Sequence, residues 1–326
     1  MYDSMIIGGG PAGLAAAIEL SRLGKKVVLI EREARLGGIL KQCIHDGFGL
    51  KTFGGSLTGP EYAQRFIYEV EETDVTVYLK TFVTDIERLE AEFCAWVINR
   101  QEGVKRIKSK SIVLATGCRE RTGKQLYISG SRPAGILTAG TAQYLVNIEG
   151  LLPCKKCVIL GSGDIGLIMA RRLTLEGAEV VGIYEVKSNV SGLKRNVYQC
   201  VYDFDIPLHL SKTVVSVKGD ERLESVVVAD VDAQQRIIAG TEKEVPCDGL
   251  ILSVGLIPEN EMAEKIGVIL DEKSKGPRVD EQLMTNIPGV FSCGNALRVF
   301  DLVDAVTESG VLAAKAVNQY LEQRKG

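Results

Sequence analysis

Met5-Ile6-Ile7-Gly8-Gly9-Gly10-Pro11-Ala12-Gly13 stands near the start of the chain, and the rest is read outward from it. The apolar run Met5 to Ile7 has the character of a buried parallel strand. Gly8, Gly10 and Gly13 follow in the spacing G-x-G-x-x-G. The alanine-rich stretch Ala12 to Leu23 predicts a helix. In such a turn Gly8 lets the chain swing from strand to helix. Gly10 lets the backbone approach a pyrophosphate, and Gly13 lets helix and strand pack closely. The phosphates then meet the helix N-terminus, where N–H groups and the dipole favour negative charge. Lys26 to Ile30 predicts the next strand, and Glu31 closes it. That acid lies near the ~20-residue offset at which a carboxylate holds a ribose hydroxyl pair.

The pattern returns later in the chain. Cys157-Val158-Ile159-Leu160 predicts a strand, and Gly161-Ser162-Gly163-Asp164-Ile165-Gly166 repeats G-x-G-x-x-G. Leu167 to Leu175 predicts a helix, Glu179 to Ile183 a strand, and Tyr184-Glu185 ends it. An internal repeat of this kind means two dinucleotide-binding units in one chain. Glu185 is placed to hold the ribose hydroxyls of NAD and to repel the 2′-phosphate of NADP, so NAD is favoured.

Between and after the two units the reading is coarser. Leu36-Gly37-Gly38-Ile39-Leu40 suits a backbone running close to a ligand. Lys41 to Leu57 is expected to be an irregular loop carrying Cys43, His45 and Phe48. Thr58-Gly59-Pro60-Glu61 has the form of a capping box opening a helix to about Glu72. Val75 to Leu79, Phe82 to Ile86 and Phe93 to Asn99 are expected as strands of a small antiparallel insertion. Ser111 to Leu114 predicts a buried strand ending in Ala115-Thr116-Gly117. A second insertion is expected from Val214 to Val217, Leu223 to Val231 and Arg236 to Ile238. Leu250 to Val254 predicts a strand, and an amphipathic helix closes the chain from about Asp304 to Gln323.

The 326 residues suffice for two domains. Hydrophobic residues make up 45% and charged residues 25%, an ordinary globular balance. Net charge is −3, so there is no basic field for nucleic acid. No apolar run reaches the ~18 residues of a membrane span. The eight cysteines are scattered, which reads as reduced thiols in a cytoplasm. The chain enters a strand at once, leaving no room for a signal peptide. With two histidines there is little material for a metal site, and none is expected.

The ordered set Gly8 to Gly13, Glu31, Ala115-Thr116-Gly117, Gly161 to Gly166 and Pro288-Gly289-Val290-Phe291 with Gly294 closely resembles the FAD/NAD(P) pyridine nucleotide-disulfide oxidoreductases. The length resembles the short, thioredoxin-reductase-like branch. The resemblance implies an α/β chain of two Rossmann-like dinucleotide-binding domains, the NAD domain inserted into the FAD domain, each with a small antiparallel β insertion. FAD would be held by residues 1–118 and 256–326, and NAD by 119–255. It assigns FAD to Gly8, Gly10, Pro11, Ala12, Gly13, Glu31, Arg32, Gly37, Gly38, Val83, Ala115, Thr116, Gly117, Gly294, Asn295 and Ala305. It assigns the nicotinamide nucleotide to Gly161, Gly163, Asp164, Ile165, Gly166, Glu185 and Gly255. The helix from Asp304-Ala305 would point its N-terminus at the flavin ring. Asn295 stands where most of the family has Asp, which normally accepts from a ribityl hydroxyl. An Asn oxygen also accepts.

A closer likeness is carried by Leu36 to His45, Arg132-Pro133-Ala134-Gly135 and Cys293-Gly294-Asn295. These resemble flavoprotein subunits that work beside a second flavoprotein, such as those of opine oxidases, dye-linked proline dehydrogenases, hydrogen cyanide synthase and glycerol-3-phosphate-dehydrogenase-like proteins. The expected activity is electron exchange between nicotinamide, FAD and an external acceptor or partner subunit. A homodimer is a further expected partnership. Thioredoxin reductases carry Cys-x-x-Cys where this chain has about Thr138 to Ala142, without cysteine. Cys43 and His45 are the catalytic candidates, Cys43 as a sulfenic-acid centre or a pocket wall, His45 as a proton donor or a polar pocket residue. Two rival functions follow: a disulfide or peroxide reductase using Cys43, or Cys154 with Cys157, and a non-catalytic flavoprotein subunit. Cys154-Lys155-Lys156-Cys157 itself reads as structural, because Cys157 opens a buried strand.

Overall fold

The computed structural model describes residues 1–324. The chain divides into two compact units, Met1–Arg119 with Ile257–Gly326, and Glu120–Leu256. Each is a parallel sheet with helices packed on it and a small second sheet.

In the first unit the parallel sheet runs Val290–Ser292, Ile112–Leu114, Ser4–Ile7, Val27–Ile30, Thr76–Tyr78. The four residues of Ser4–Ile7 are all buried, as a strand covered on both faces requires. The register pairs Ile7 with both Ile30 and Leu114, and Leu114 with Ser292. The segments that follow those residues therefore emerge side by side at the carboxyl edge. The helix Pro11–Arg22 buries Leu14 and Leu20 completely, each contributing about 2 kcal/mol. The long helix Val303–Gln323 lies against it. A Cβ at Gly310 would come within 2.2 Å of the Ala12 carbonyl oxygen, so only glycine allows this approach.

The predicted capping box is present. The Thr58 hydroxyl accepts from Glu61 N–H (3.4 Å), and the Glu61 carboxylate accepts from Thr58 N–H (2.8 Å), opening the helix Gly59–Glu71. One predicted insertion strand sits elsewhere. Thr76–Tyr78 is the parallel edge of the main sheet, paired with Val27–Ile30. The antiparallel sheet consists of Thr81–Arg88, Phe93–Asn99 and Gly103–Ser109, and the last of these was not foreseen. Arg106 and Lys108 lie on its exposed face and Lys105 on the face of buried Ile107, which hides the apolar alternation.

The second unit repeats the plan. Its parallel sheet runs Ile136–Thr138, Gly249–Leu252, Lys156–Leu160, Glu179–Glu185, Leu208–Leu210. Leu160 pairs with Tyr184 and Leu252, which brings the Gly161 turn, Glu185 and Ser253 together at the carboxyl edge. The smaller sheet joins Lys243–Pro246, Ser225–Asp230, Lys212–Lys218 and Ser129–Gly130. Arg236 to Ile238, expected as a strand here, forms only the isolated bridge Val231–Ile237, and Lys243–Pro246 takes its place.

Candidate functional site: paired glycine turns

In the first unit Gly8 has φ +108°, and a Cβ there would sit 2.3 Å from the Ala115 carbonyl oxygen. Both the turn and the neighbouring strand end exclude a side chain. A Cβ at Gly13 would lie 1.9 Å from the Gly8 carbonyl oxygen, which locks helix onto strand. Gly10 is different. Its φ is −79°, and a Cβ there would meet nothing closer than Gly38 Cα at 3.9 Å. The space in front of Gly10 is open, as a phosphate cradle needs. Glu31 is buried at this edge. Its Oε2 accepts from Gly9 N–H and its Oε1 from Glu33 N–H, both at 2.8 Å.

The other first-unit candidates gather around the turn. Pro11 and Ala12 open the helix. Gly37 and Gly38 both have positive φ, and the Cβ space of Gly38 is only 3.0 Å from Gly10 Cα. Ala115, Thr116 and Gly117 leave the adjacent strand, and the Thr116 hydroxyl donates to the Glu259 carbonyl (2.6 Å). Glu259 was not foreseen. Its carboxylate pairs with Arg32 (2.8 Å), and its N–H donates to the Gly117 carbonyl (2.9 Å). Gly294 packs on Ala12. Asn295 Oδ1 accepts from Phe300 N–H (3.0 Å) and its amide donates to Cys118 Sγ (3.5 Å). The side chain of Val83 is in the core, leaving only its backbone to address a ligand. Ala305 lies in the first turn of Val303–Gln323. Beside it Asp304 is buried and accepts from the Thr52 N–H (3.0 Å) and hydroxyl (2.5 Å). Tyr62 bonds Thr307 (2.8 Å) in the next turn of that helix. The loop bearing Cys43 and His45 is thus tied to the closing helix.

The second unit reproduces the geometry. Gly161 has φ +99° with its Cβ space 2.1 Å from the Ser253 carbonyl oxygen, and that of Gly166 is 2.6 Å from the Gly161 carbonyl oxygen. Gly163 is open, with Ser253 Oγ nearest at 3.8 Å. Glu185 is buried and bonded into the turn. Asp164 and Ile165 begin the helix Asp164–Leu175. The Asp164 carboxylate is turned to Leu193 N–H (2.8 Å) and Asn196 (2.7 Å), bracing the segment beside the turn. Gly255 has φ +99°, and its carbonyl accepts from Arg121 N–H (3.1 Å).

The helices that follow the two glycine turns lack the side-chain caps found on two others. Gly59–Glu71 and Ala139–Asn147 have Thr side chains capping their first turns. Pro11–Arg22, Asp164–Leu175 and Val303–Gln323 have no side-chain cap. Uncapped N-termini retain donors for an anion. At Ala139–Asn147, where thioredoxin reductases place their redox pair, the N-terminus meets a carboxylate: Glu120 accepts from Gly140 N–H at 2.9 Å on both oxygens.

The thiols are sharply differentiated. Burial pushes the Cys43 thiol up to about 12, and its Sγ donates to the Ile39 carbonyl (3.4 Å). A thiol in that state is neutral at physiological pH and a poor nucleophile. Alkylation of Cys43 by iodoacetamide is expected to stay slow through pH 9 and to rise only above about pH 10. Fast labelling at pH 7 would restore Cys43 as a redox centre. His45 is half-buried, its Nδ1 3.0 Å from the Asp46 carbonyl and its ring stacked obliquely on Phe48.

Cys154 and Cys157 are buried and free, and Gly249 packs directly on Cys154. A hydrogen bond from Cys157 lowers the Cys154 pKa and raises that of Cys157, which desolvation raises further. Cys157 is the second residue of the strand Lys156–Leu160, so at ~3.3 Å per residue it lies about 13 Å from the Gly161 turn. Cys154→Ala with Cys157→Ala is expected to leave NADH-dependent dye reduction near the parent rate. A disulfide reductase activity present in the parent and lost in the double variant would make the pair a redox centre. Among the described residues no group of three or more His, Cys, Asp and Glu could hold a metal ion, and no helix is long and apolar enough to cross a membrane.

Two glycine turns, each at the carboxyl edge of its own parallel sheet, define a protein built for two dinucleotides. Residues 2–318 match the pyridine nucleotide-disulphide oxidoreductase family, and the chain belongs to it. The family is one of FAD- and NAD(P)-dependent oxidoreductases. The chain is 26% identical to hydrogen cyanide synthase subunit HcnB of Pseudomonas protegens, over 82% of this chain and 59% of that protein. It thus spans less than two thirds of that relative. It is also 26% identical to the thioredoxin reductase of Listeria innocua, over 100% of this chain and 95% of that one. The crystal structure of Lactococcus lactis thioredoxin reductase shares the fold, with a TM-score of 0.79 at 23% identity, covering 99% of this chain and 100% of that one.

Proposed function

We propose that this oxidoreductase passes electrons between NADH, FAD and a partner flavoprotein subunit, and that it does not reduce protein disulfides. FAD belongs to the unit Met1–Arg119 with Ile257–Gly326, and NAD to Glu120–Leu256. The bound cofactors supply hydride and electron transfer. The residues of the chain bind and orient them. Gly10 and Gly163 offer open backbone to the pyrophosphates. Glu31 and Glu185 stand at the ribose positions. The uncapped start of Val303–Gln323 favours negative charge beside it through its dipole.

The observation that carries the reading is Glu120 on Gly140 N–H. A helix N-terminus that would lower a thiol pKa is committed to a carboxylate, and no dithiol is there. Without a nearby dithiol, electrons have to leave through an external acceptor. The match to a protein described as a subunit supports a protein partner of that kind. Eight free cysteines fit a reducing cytoplasm. A homodimer is compatible with the same role.

The test is an anaerobic titration with NADH, followed by acceptor trials and purification from the native host. The flavin band should bleach with NADH, reoxidise with dyes, and stay reduced with small protein disulfides. A second flavoprotein should co-purify. Rapid reduction of a protein disulfide by the isolated chain would overturn the proposal.

A further inference from the structure

The two glycine turns differ between their first two glycines, and that difference falls on the acid. Between the first two glycines the first turn has Gly9. A Cβ there would lie 2.5 Å from Leu36 Cδ2, so a side chain would have to displace Leu36. In the second turn that position is Ser162, fully buried. Its N–H (2.9 Å) and its hydroxyl (2.5 Å) both donate to Oε2 of Glu185. The Ser162 oxygen in turn accepts from Ser191 N–H (3.0 Å), and the Ser191 hydroxyl reaches the same Oε2 at 3.4 Å. Oε1 of Glu185 accepts only from Lys187 N–H (3.0 Å) among the bonds of this group.

We infer that Ser162 is the positioning residue that sets nucleotide choice in the second unit, an inference that rests on the NAD reading above. A carboxylate oxygen has two lone pairs. Ser162 uses both on Oε2, which leaves one acceptor place on Oε1 for a ribose hydroxyl. The same two bonds keep the carboxylate from turning aside, so a 2′-phosphate meets a fixed negative charge. Loss of the hydroxyl removes a charge-assisted bond, the stronger kind, and loosens the carboxylate on the backbone bonds that remain. It then holds a ribose diol less well and repels a phosphate less strongly.

The test is calorimetric titration of the FAD-loaded protein with NAD⁺ and with NADP⁺. Parent, Ser162→Ala, Ser162→Gly and Glu185→Ala are compared by the ratio of the two Kd values. Ser162→Ala removes the hydroxyl alone, and Ser162→Gly recreates the first turn, so either folded variant decides the matter. The parent should favour NAD⁺. Each Ser162 variant should narrow the ratio by about tenfold, the worth of one hydrogen bond to a charged group. Glu185→Ala should bring it near parity. A packing lesion would weaken both nucleotides in parallel, and an unchanged ratio in the Ser162 variants overturns the inference. If Glu185→Ala still collapses the ratio, the NAD reading survives that failure. A parent that favours NADP⁺ overturns the NAD reading and the inference with it.

Discussion

Gly10→Ala is expected to give a folded protein that binds FAD much more weakly. The added methyl meets no protein atom closer than 3.9 Å, and φ −79° suits any residue, so the apoprotein has no reason to move. The methyl does project into the space from which a pyrophosphate would approach the backbone. Forcing an extra methyl into a filled contact costs about 1–3 kcal/mol. FAD affinity should therefore fall roughly ten- to a hundred-fold. Gly13→Ala makes the contrast. Its Cβ would lie 1.9 Å from the Gly8 carbonyl oxygen, so backbone has to shift and the apoprotein itself should be less stable. The measurements are flavin released on denaturation and the melting temperature of each apoprotein. Gly10→Ala with full FAD content and parental affinity would show that this turn holds no dinucleotide phosphate.

Much of this was legible in the chain because it is local. A strand of apolar residues, three spaced glycines and a closing acid are a complete description of the first turn, and the same words describe the second. The capping box at Thr58 is local too. Where sequence and structure parted, the deciding contact was distant or the segment was short. Thr76–Tyr78 is three half-buried residues, and only its neighbour Val27–Ile30 makes it a parallel edge. Gly103–Ser109 and Lys243–Pro246 are mostly exposed and charged, so pattern could not show them.

The site was divided in the same way. Glycines declare themselves, but their partners do not. Glu259 reaches Arg32 across 227 positions, and Thr52 reaches Asp304 across 252. Glu120 lies close in sequence to Gly140, but nothing in the sequence says that a carboxylate should fill the helix N-terminus there. Ser162 stood inside a recognised motif at a position the motif leaves free. Its role appears only when the hydroxyl is seen on Glu185.

Gly163→Ala should separate the two units functionally. The added methyl would have Ser253 Oγ as its nearest neighbour at 3.8 Å, and φ −67° is again ordinary, so the fold should hold. The intrusion now falls on the nicotinamide nucleotide. The protein should remain yellow with parental FAD content, because the first turn is untouched. NADH affinity should fall roughly ten- to a hundred-fold by the same steric cost. Flavin bleaching by sub-saturating NADH should slow in proportion, while bleaching by a chemical reductant that needs no binding site should proceed as in the parent. This pattern is the reverse of Gly10→Ala, where FAD binding itself is weakened. The pair of variants thus assigns each cofactor to a unit without any reference to relatives. FAD lost from Gly163→Ala and retained in Gly10→Ala would exchange the assignments. Parental NADH affinity in Gly163→Ala would remove the second turn from catalysis and make that unit a structural copy of the first.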